Sequence, residues 1–314
     1  VKVAPVKKPS RPRAAGKPPG VAAPKEWEWS TRGGIQTLLA AALKEQPWLA
    51  HGFSTRVGGH SSLEGNAALN LGFTEWDSRK SVEANRKEFV TALNASEMVL
   101  VGLRQVHSDV IYRVDKAPEE LPRGDALITQ TPGLLLTIQT ADCVPVLLAD
   151  VRHHAVAAIH AGWRGTLARI VAKTLGRMRM EFGTRPADVL AALGPAIGQC
   201  SFEVGPEVAQ AFATQFSGAQ AWFEGKFEHL SSAGDEPNPL KWLSMTPPGH
   251  DPPPPRAQLD LIAANRWQLE DAGLPPAQIS AAGLCTVCHS ELFFSYRREQ
   301  GRTGRMMSAI GIRA

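Results

Sequence analysis

The stretch LLLTIQTADCVPVLLADVRHHAVAAIHAGWRG, residues 134–165, sets the architecture. It holds three apolar runs of strand length, 134–139, 144–148 and 155–159, joined by short connections. The runs are too continuous for a sheet with one wet face, so they predict strands buried on both sides. Cys143 falls in the tight connection between the first two runs, and His160 ends the third. Gly162 and Gly165 then open a helix expected over 166–182. Its apolar stripe is Leu167, Ile170, Val171, Leu175, Met178 and Phe182, and Gly183 supplies the stop.

Working outward, residues 49–56 read as a short strand entering the Gly58-Gly59 turn, and structure is expected to start near Trp48. A helix is predicted over 78–93, with Ser78 as N-cap and Val82, Phe89, Val90 and Leu93 as its buried face. Strands are predicted over 98–103, 110–114, 189–193 and 292–296, and helices over 206–216 and 259–272. Adjacent strands mixed with β-α-β units argue an α/β or α+β fold.

Three segments carry ligand-type residues: Gln105-Val106-His107-Ser108, Thr140-Ala141-Asp142-Cys143 and His160-Ala161-Gly162-Trp163-Arg164-Gly165. Two imidazoles and one thiolate suit zinc, and three protein ligands leave a fourth tetrahedral position open, as in catalytic sites. The ligands are too far apart in sequence for a zinc finger, so the fold must bring them together. Taken singly, each also fits a plainer reading, an inert buried thiol or a hydrogen-bonded histidine. Asp142 beside Cys143 and the glycines after His160 favour a shaped pocket.

Three further motifs stay open. Arg164 at the helix entry is a candidate phosphate contact or a solvent-facing residue of an ordinary turn. Arg56, in Phe53-Ser54-Thr55-Arg56-Val57-Gly58-Gly59, is a weaker one, since that turn is neither a P-loop nor a dinucleotide fingerprint. The arginines of Ser295-Tyr296-Arg297-Arg298 and Thr303-Gly304-Arg305 serve substrate recognition, ion pairing or a solvated loop. Cys285-Thr286-Val287-Cys288-His289 matches the haem-attachment pattern C-x-x-C-H, but nothing else supports haem, and a lone C-x-x-C lacks the partner pair of a structural zinc site. A chance match is the main reading, with a redox or accessory metal role behind it.

The net charge of +4 conceals a division. Residues 1–25 carry seven Lys/Arg, six prolines and no acid, which leaves 27 basic (34 − 7) against 30 acidic residues in the body. The basic excess sits on a proline-rich tail expected to be disordered, not on a folded face, so no nucleic-acid partner is expected. Residues 231–256, with eight prolines, read as a surface insertion in a body spanning 26–314. There is no membrane-length apolar run and no secretory-type apolar stretch, and four cysteines give no disulfide-scaffold density. A cytoplasmic location follows as the expectation.

Together the segments resemble the YfiH-like, laccase-domain family of purine nucleoside phosphorylases, once labelled polyphenol oxidases. The motifs run in order: HGFSTRVGG at 51–59, LNLG at 69–72, QVHSDV at 105–110, GDALIT at 124–129, TADCVPVLLAD at 140–150 and AAIHAGWRGT at 157–166. LGPAIGQCSFEVG at 193–205, DLIAANRWQL at 260–269 and LFFSYRREQGRTGRMMS at 292–308 complete them. The resemblance implies a single-domain, four-layer α-β-β-α sandwich with a Zn2+ site on His107, Cys143 and His160. It also implies phosphorolysis of adenosine, inosine and S-methyl-5′-thioadenosine, with adenosine deamination as a second reaction. Purine nucleosides and phosphate are then the partners. Cys143 and Asp142 are the candidate catalytic residues, and Arg56 and Arg164 the candidate substrate contacts. The oxidase label finds no support: no H-x-H pair occurs among nine histidines, and one three-ligand site cannot hold a laccase's copper set. The rival readings are a cysteine hydrolase built on a Cys143–His160 dyad and a non-enzymatic interaction protein.

Overall fold

The alternation of side chains within the central strands explains the layering. In the strands Val144–Asp150 and Ala155–Ala161, Val144, Val146, Leu148, Ala157 and Ile159 point to one apolar cluster, and Leu147, Ala149, Val156 and Ala158 to another. Since strand side chains alternate with period two, both faces must be covered. The computed structural model, which describes residues 21–63, 65–225 and 256–314, shows what covers them.

One six-stranded sheet runs Ile279–Ala281, Val189–Leu193, Val144–Asp150, Ala155–Ala161, Ala126–Thr129, Ile111–Arg113 in spatial order. The other runs Trp27–Arg32, Ile35–Ala40, Leu49–Ser54, Met306–Ile312, Leu134–Thr140, Val99–Val101. Leu136, Ile138, Phe53 and Ile310 of the second sheet meet Leu147 and Val156 of the first in the core between them. Helices Ile170–Phe182, Pro206–Gln215 and Leu261–Asp271 close the outer face of the first sheet. Helix Arg79–Ala92 closes the second, packing Phe89 near Leu135, Met307 and Ala309. The result is the expected four-layer α-β-β-α sandwich.

Local rules place several ends. Ser78 caps its helix by accepting the Ser81 N–H at 3.0 Å, and Asp260 does the same for Ala263 N–H at 2.8 Å. Gly183, at φ 72°, ends its helix in the left-handed conformation.

The two buried sheets are antiparallel at their centres, with parallel pairing only at Val99–Val101, Ile279–Ala281 and Ile111–Arg113. Face-to-face packing buries an antiparallel sheet as fully as crossover helices bury a parallel one. Three expectations need correction. Structure begins before Trp48, in a hairpin of Trp27–Arg32 with Ile35–Ala40. Gly33 and Gly34, both at positive φ, supply its two-residue turn. The helix expected over 166–182 breaks into Trp163–Leu167 and Ile170–Phe182, because Arg169 adopts φ 61°. Residues 292–296 form no strand: Leu292 and Phe293 donate back to the His289 carbonyl, and their side chains plug the intersheet core.

The strand Met306–Ile312, central to its sheet, was not anticipated. The expectations for residues 1–25 and 231–256 lie, apart from 21–25 and Arg256, outside the described residues.

Candidate metal centre and its cavity

Three chain crossings meet at one end of the sandwich. Asp142 and Cys143 occupy the link from Leu134–Thr140 in one sheet to Val144–Asp150 in the other. His160 lies on Ala155–Ala161 directly opposite Pro145, and His107 comes from a loop beside them. The side-chain ligand atoms of His107, Cys143 and His160 lie within 4.8 Å of one another, with His107 Nε2 3.9 Å from Cys143 Sγ. The sequence reading grouped these three, and the fold brings them together.

Asp125, which sequence reasoning passed over as a site residue, organises the centre. Its carboxylate accepts the backbone N–H groups of His107 (3.0 Å) and Ser108 (2.6 Å), and the Ser108 hydroxyl at 2.7 Å. This holds His107 at φ 58°, a left-handed conformation uncommon outside glycine. The same carboxylate lies 2.8 Å from Nδ1 of His160, so Nε2 is the nitrogen left for the centre. Burial alone would raise the Asp125 acid, yet the His160 ring and the Ser108 donors hold it at about 2. The only sequence signal for it is Gly124-Asp125 within the family motif.

Burial would likewise raise the Cys143 thiol, but the neighbouring His160 and His107 imidazoles bring it to about 6. His160 moves the opposite way: burial opposes its charge, and Cys143 and Asp125 outweigh that to raise it to about 9. These opposite shifts favour a thiolate beside an imidazolium, an arrangement that attracts a cation able to displace the proton. Gly162 is required here, since a Cβ would sit 2.9 Å from Cys143 Sγ and 3.1 Å from His107 Cδ2. The donor set, the oriented imidazole and this close approach fit a resident metal of zinc type.

Asp142 lines the cavity at φ 91° and is tied down at three points. Its Oδ1 accepts the Thr286 hydroxyl at 2.6 Å, its Oδ2 the Arg297 N–H at 2.7 Å, and its carbonyl the Ile197 N–H at 2.8 Å. Holding a non-glycine residue in this conformation costs roughly 1–3 kcal/mol, which these bonds offset. Asp142 thereby presents Cys143.

The centre forms the floor of a cavity of about 650 Å³. Trp163, Phe202 and Tyr296 give it aromatic walls, and Arg164, Arg297 and Arg305 give it positive charge. Its size and mixed lining suit a small polar molecule. Arg56 is not among the lining residues. Its guanidinium pairs with Glu299 at 2.7 Å, donates to the Ser290 carbonyl at 2.9 Å and stacks 4.6 Å over Phe294. In this arrangement it pins the 290–299 segment. Arg297 and Arg305, left open by the sequence, reach the cavity; Arg298 instead donates to the Val287 carbonyl.

A sandwich of this layering, with two histidines and a cysteine at the sheet crossover, is a laccase-domain protein. A family model described as multi-copper polyphenol oxidoreductase laccase matches residues 50–313, and the chain belongs to that family. Among its relatives, a purine nucleoside phosphorylase of Bacteroides thetaiotaomicron is 38% identical over 274 residues, covering 84% of this chain and 92% of its own length. The purine nucleoside phosphorylase YfiH of Escherichia coli is 37% identical over 257 residues, covering 82% and 91%. The crystal structure of YlmD from Geobacillus stearothermophilus superposes with a TM-score of 0.74 at 30% identity, covering 93% of this chain and all of that one. The Bacillus licheniformis YfiH structure gives 0.76 at 31%, covering 91% and 99%. Among the described residues no helix is long and apolar enough to cross a membrane.

Proposed function

We propose that this chain is a zinc-dependent purine nucleoside phosphorylase acting on adenosine, inosine and S-methyl-5′-thioadenosine, with adenosine deamination as a second activity. The observation that carries the reading is the meeting of His107, Cys143 and His160 on the floor of an aromatic, arginine-lined cavity. The names of the relatives support the reaction class.

In phosphorolysis a phosphate oxygen bonds to C1′ of the ribose as the C1′–N9 bond breaks, its electron pair leaving with the base, which takes up a proton. Arg164, Arg297 and Arg305 supply the guanidinium charge that phosphate needs, and Arg164 is steadied by stacking 4.3 Å from the Trp163 ring. Trp163, Phe202 and Tyr296 offer π faces for a purine. Bound zinc would supply Lewis acidity at the cavity floor. Asp125 fixes the ring of His160 and the loop of His107, while Asp142 holds Cys143 in place. In deamination, water would add at C6 of adenine and ammonia would leave.

The thiolate–imidazolium pair by itself would also suit a cysteine hydrolase. His107 as a third ligand and the phosphorylase relatives favour the metal reading. The four free thiols suit a reducing cytoplasm. We place the catalytic body at residues 26–314, with the tail and the proline-rich insertion as appendages, so deleting residues 1–25 should leave turnover intact.

The deciding experiment incubates zinc-quantified protein with adenosine, with and without phosphate. Adenine and ribose 1-phosphate, formed only with phosphate, are expected, along with some inosine. Absence of both products overturns the proposal.

A further inference from the structure

The sequence left Cys285 and Cys288 as a lone C-x-x-C, lacking further ligands. The fold supplies a third. Cys200, in the turn Gln199–Ser201, comes to 3.6 Å from Cys288 Sγ, and the sulfurs of Cys200, Cys285 and Cys288 all lie within 4.8 Å of one another. A tetrahedral zinc with Zn–S bonds of about 2.3 Å places its sulfurs about 3.8 Å apart, close to the separation found.

The backbone around the sulfurs is shaped for their close approach. The backbone N–H of Gly198 donates to Cys285 Sγ at 3.2 Å, and Ser201 Oγ lies 3.6 Å from the same sulfur. A donor to a sulfur stabilises its anionic, metal-binding form. Gly198 permits the approach, since a Cβ there would lie 3.1 Å from Cys285 Cβ and 3.4 Å from both Cys200 and Cys285 sulfurs. Ser201 Oγ lies 3.5 Å from Cys200 Sγ and 3.8 Å from Cys288 Sγ, so one hydroxyl borders all three sulfurs. Cys200 and Cys288 are exposed, which gives an ion a path in. His289 is turned towards Glu291, 3.5 Å away, and is not part of the set.

We propose that Cys200, Cys285 and Cys288 form a second metal site, taking a thiophilic divalent cation of zinc type, distinct from the centre on the cavity floor. Its place in the fold gives it a purpose. The 196–202 segment contributes Ile197 and Phe202 to the cavity wall, and the 285–298 segment contributes Tyr296, Arg297 and the Thr286 hydroxyl that holds Asp142. Within the described structure these segments meet through the Ala196–Cys285 bridge, the Thr286 N–H bond to the Ala196 carbonyl and the Arg297 bond to the Glu203 carbonyl. An ion on the three sulfurs clamps the two walls together without touching substrate.

The test uses the full chain carrying Cys143→Ala, which removes the only thiol of the cavity centre, so failure of that centre cannot be mistaken for failure of this site. Reduced, metal-stripped protein is loaded with Zn2+, dialysed and assayed for bound metal; a second sample is titrated with Co2+ and its thiolate-to-cobalt absorption recorded. About one zinc per chain and a strong thiolate band are expected, with both falling at least about tenfold on adding Cys288→Ser or, separately, Cys200→Ser. Either exposed serine variant should keep the melting temperature of the stripped parent, which shows that it folds. No zinc and no thiolate band in the Cys143→Ala protein overturns the proposal, as does full retention in both serine variants. Recovery of a Cys200–Cys288 disulfide from protein that binds no zinc once reduced overturns it equally.

Discussion

Asp125 and His160 lie 2.8 Å apart, carboxylate to Nδ1, and the same carboxylate accepts the backbone N–H of His107. One buried acid therefore orients both imidazoles of the centre, one through its ring and the other through its backbone. Asp125→Asn keeps the size but replaces one acceptor oxygen with a donor. Zinc affinity, measured by chelator competition, should fall about 10–100-fold. Unchanged affinity would remove Asp125 from the organisation of the site.

The Cys143 thiol should betray its neighbours chemically. In chelator-treated protein, alkylation by iodoacetamide should rise with pH around a midpoint near 6, because burial is outweighed by His160 and His107. His160→Ala should move that midpoint back up towards the ordinary thiol range, and added zinc should suppress the reaction in the parent. Rapid alkylation in the presence of saturating zinc would favour the cysteine-hydrolase reading instead.

His51 contributes to stability with a definite pH sign. It is buried in the strand Leu49–Ser54, and its Nε2 accepts the Ala40 N–H at 3.1 Å, which requires the neutral ring. Burial, with Arg313 nearby, pushes it from 6.5 to about 4. The unfolded chain then binds the extra proton between these values, so stability is full above pH 6.5 and is lost as pH falls towards 4, by roughly 3 kcal/mol in all. His51→Gln, which retains an acceptor, should flatten this slope in urea titrations at pH 7 and pH 4.5. An identical slope in both proteins would contradict it.

Arg56 and Arg164 should separate cleanly. Arg56→Met breaks a half-buried ion pair and carbonyl contacts, and should cost about 2 kcal/mol of stability while leaving zinc stoichiometry unchanged. Arg164→Met, at an exposed position on the cavity rim, should leave the melting temperature in place and raise KM for phosphate roughly tenfold. Reversal of the two phenotypes would restore Arg56 as the substrate contact.

Gly162→Ala places a methyl 2.9 Å from Cys143 Sγ. Loss of bound zinc in a protein that still folds is expected. Full zinc occupancy would show that the Cys143 loop can give way.

Much of this was legible in one dimension because burial leaves a local trace. Continuous apolar runs at 134–139, 144–148 and 155–159 announced strands covered on both faces, and Ser78 and Gly183 marked helix ends through backbone chemistry that acts over a few residues. The Gly33-Gly34 hairpin turn and the apolar run from Met306 leave an equally local trace. Ligand identity was legible too, since histidine and cysteine beside glycine at strand ends are chemically conspicuous.

What only the tertiary structure decided depends on groups distant in sequence meeting at atomic range. Whether residues 292–296 make a strand or a core plug depends on where their N–H groups find acceptors, and these lie on His289 rather than on a neighbouring strand. The same holds for the three arginines at the cavity, for Asp125 behind the histidines and for Cys200 beside Cys288. By itself the sequence determined which segments must be buried and which side chains have metal chemistry. Which of them share a site was settled by the packing of two sheets, because hydrogen bonds and coordination act over a few ångströms and are indifferent to separation along the chain.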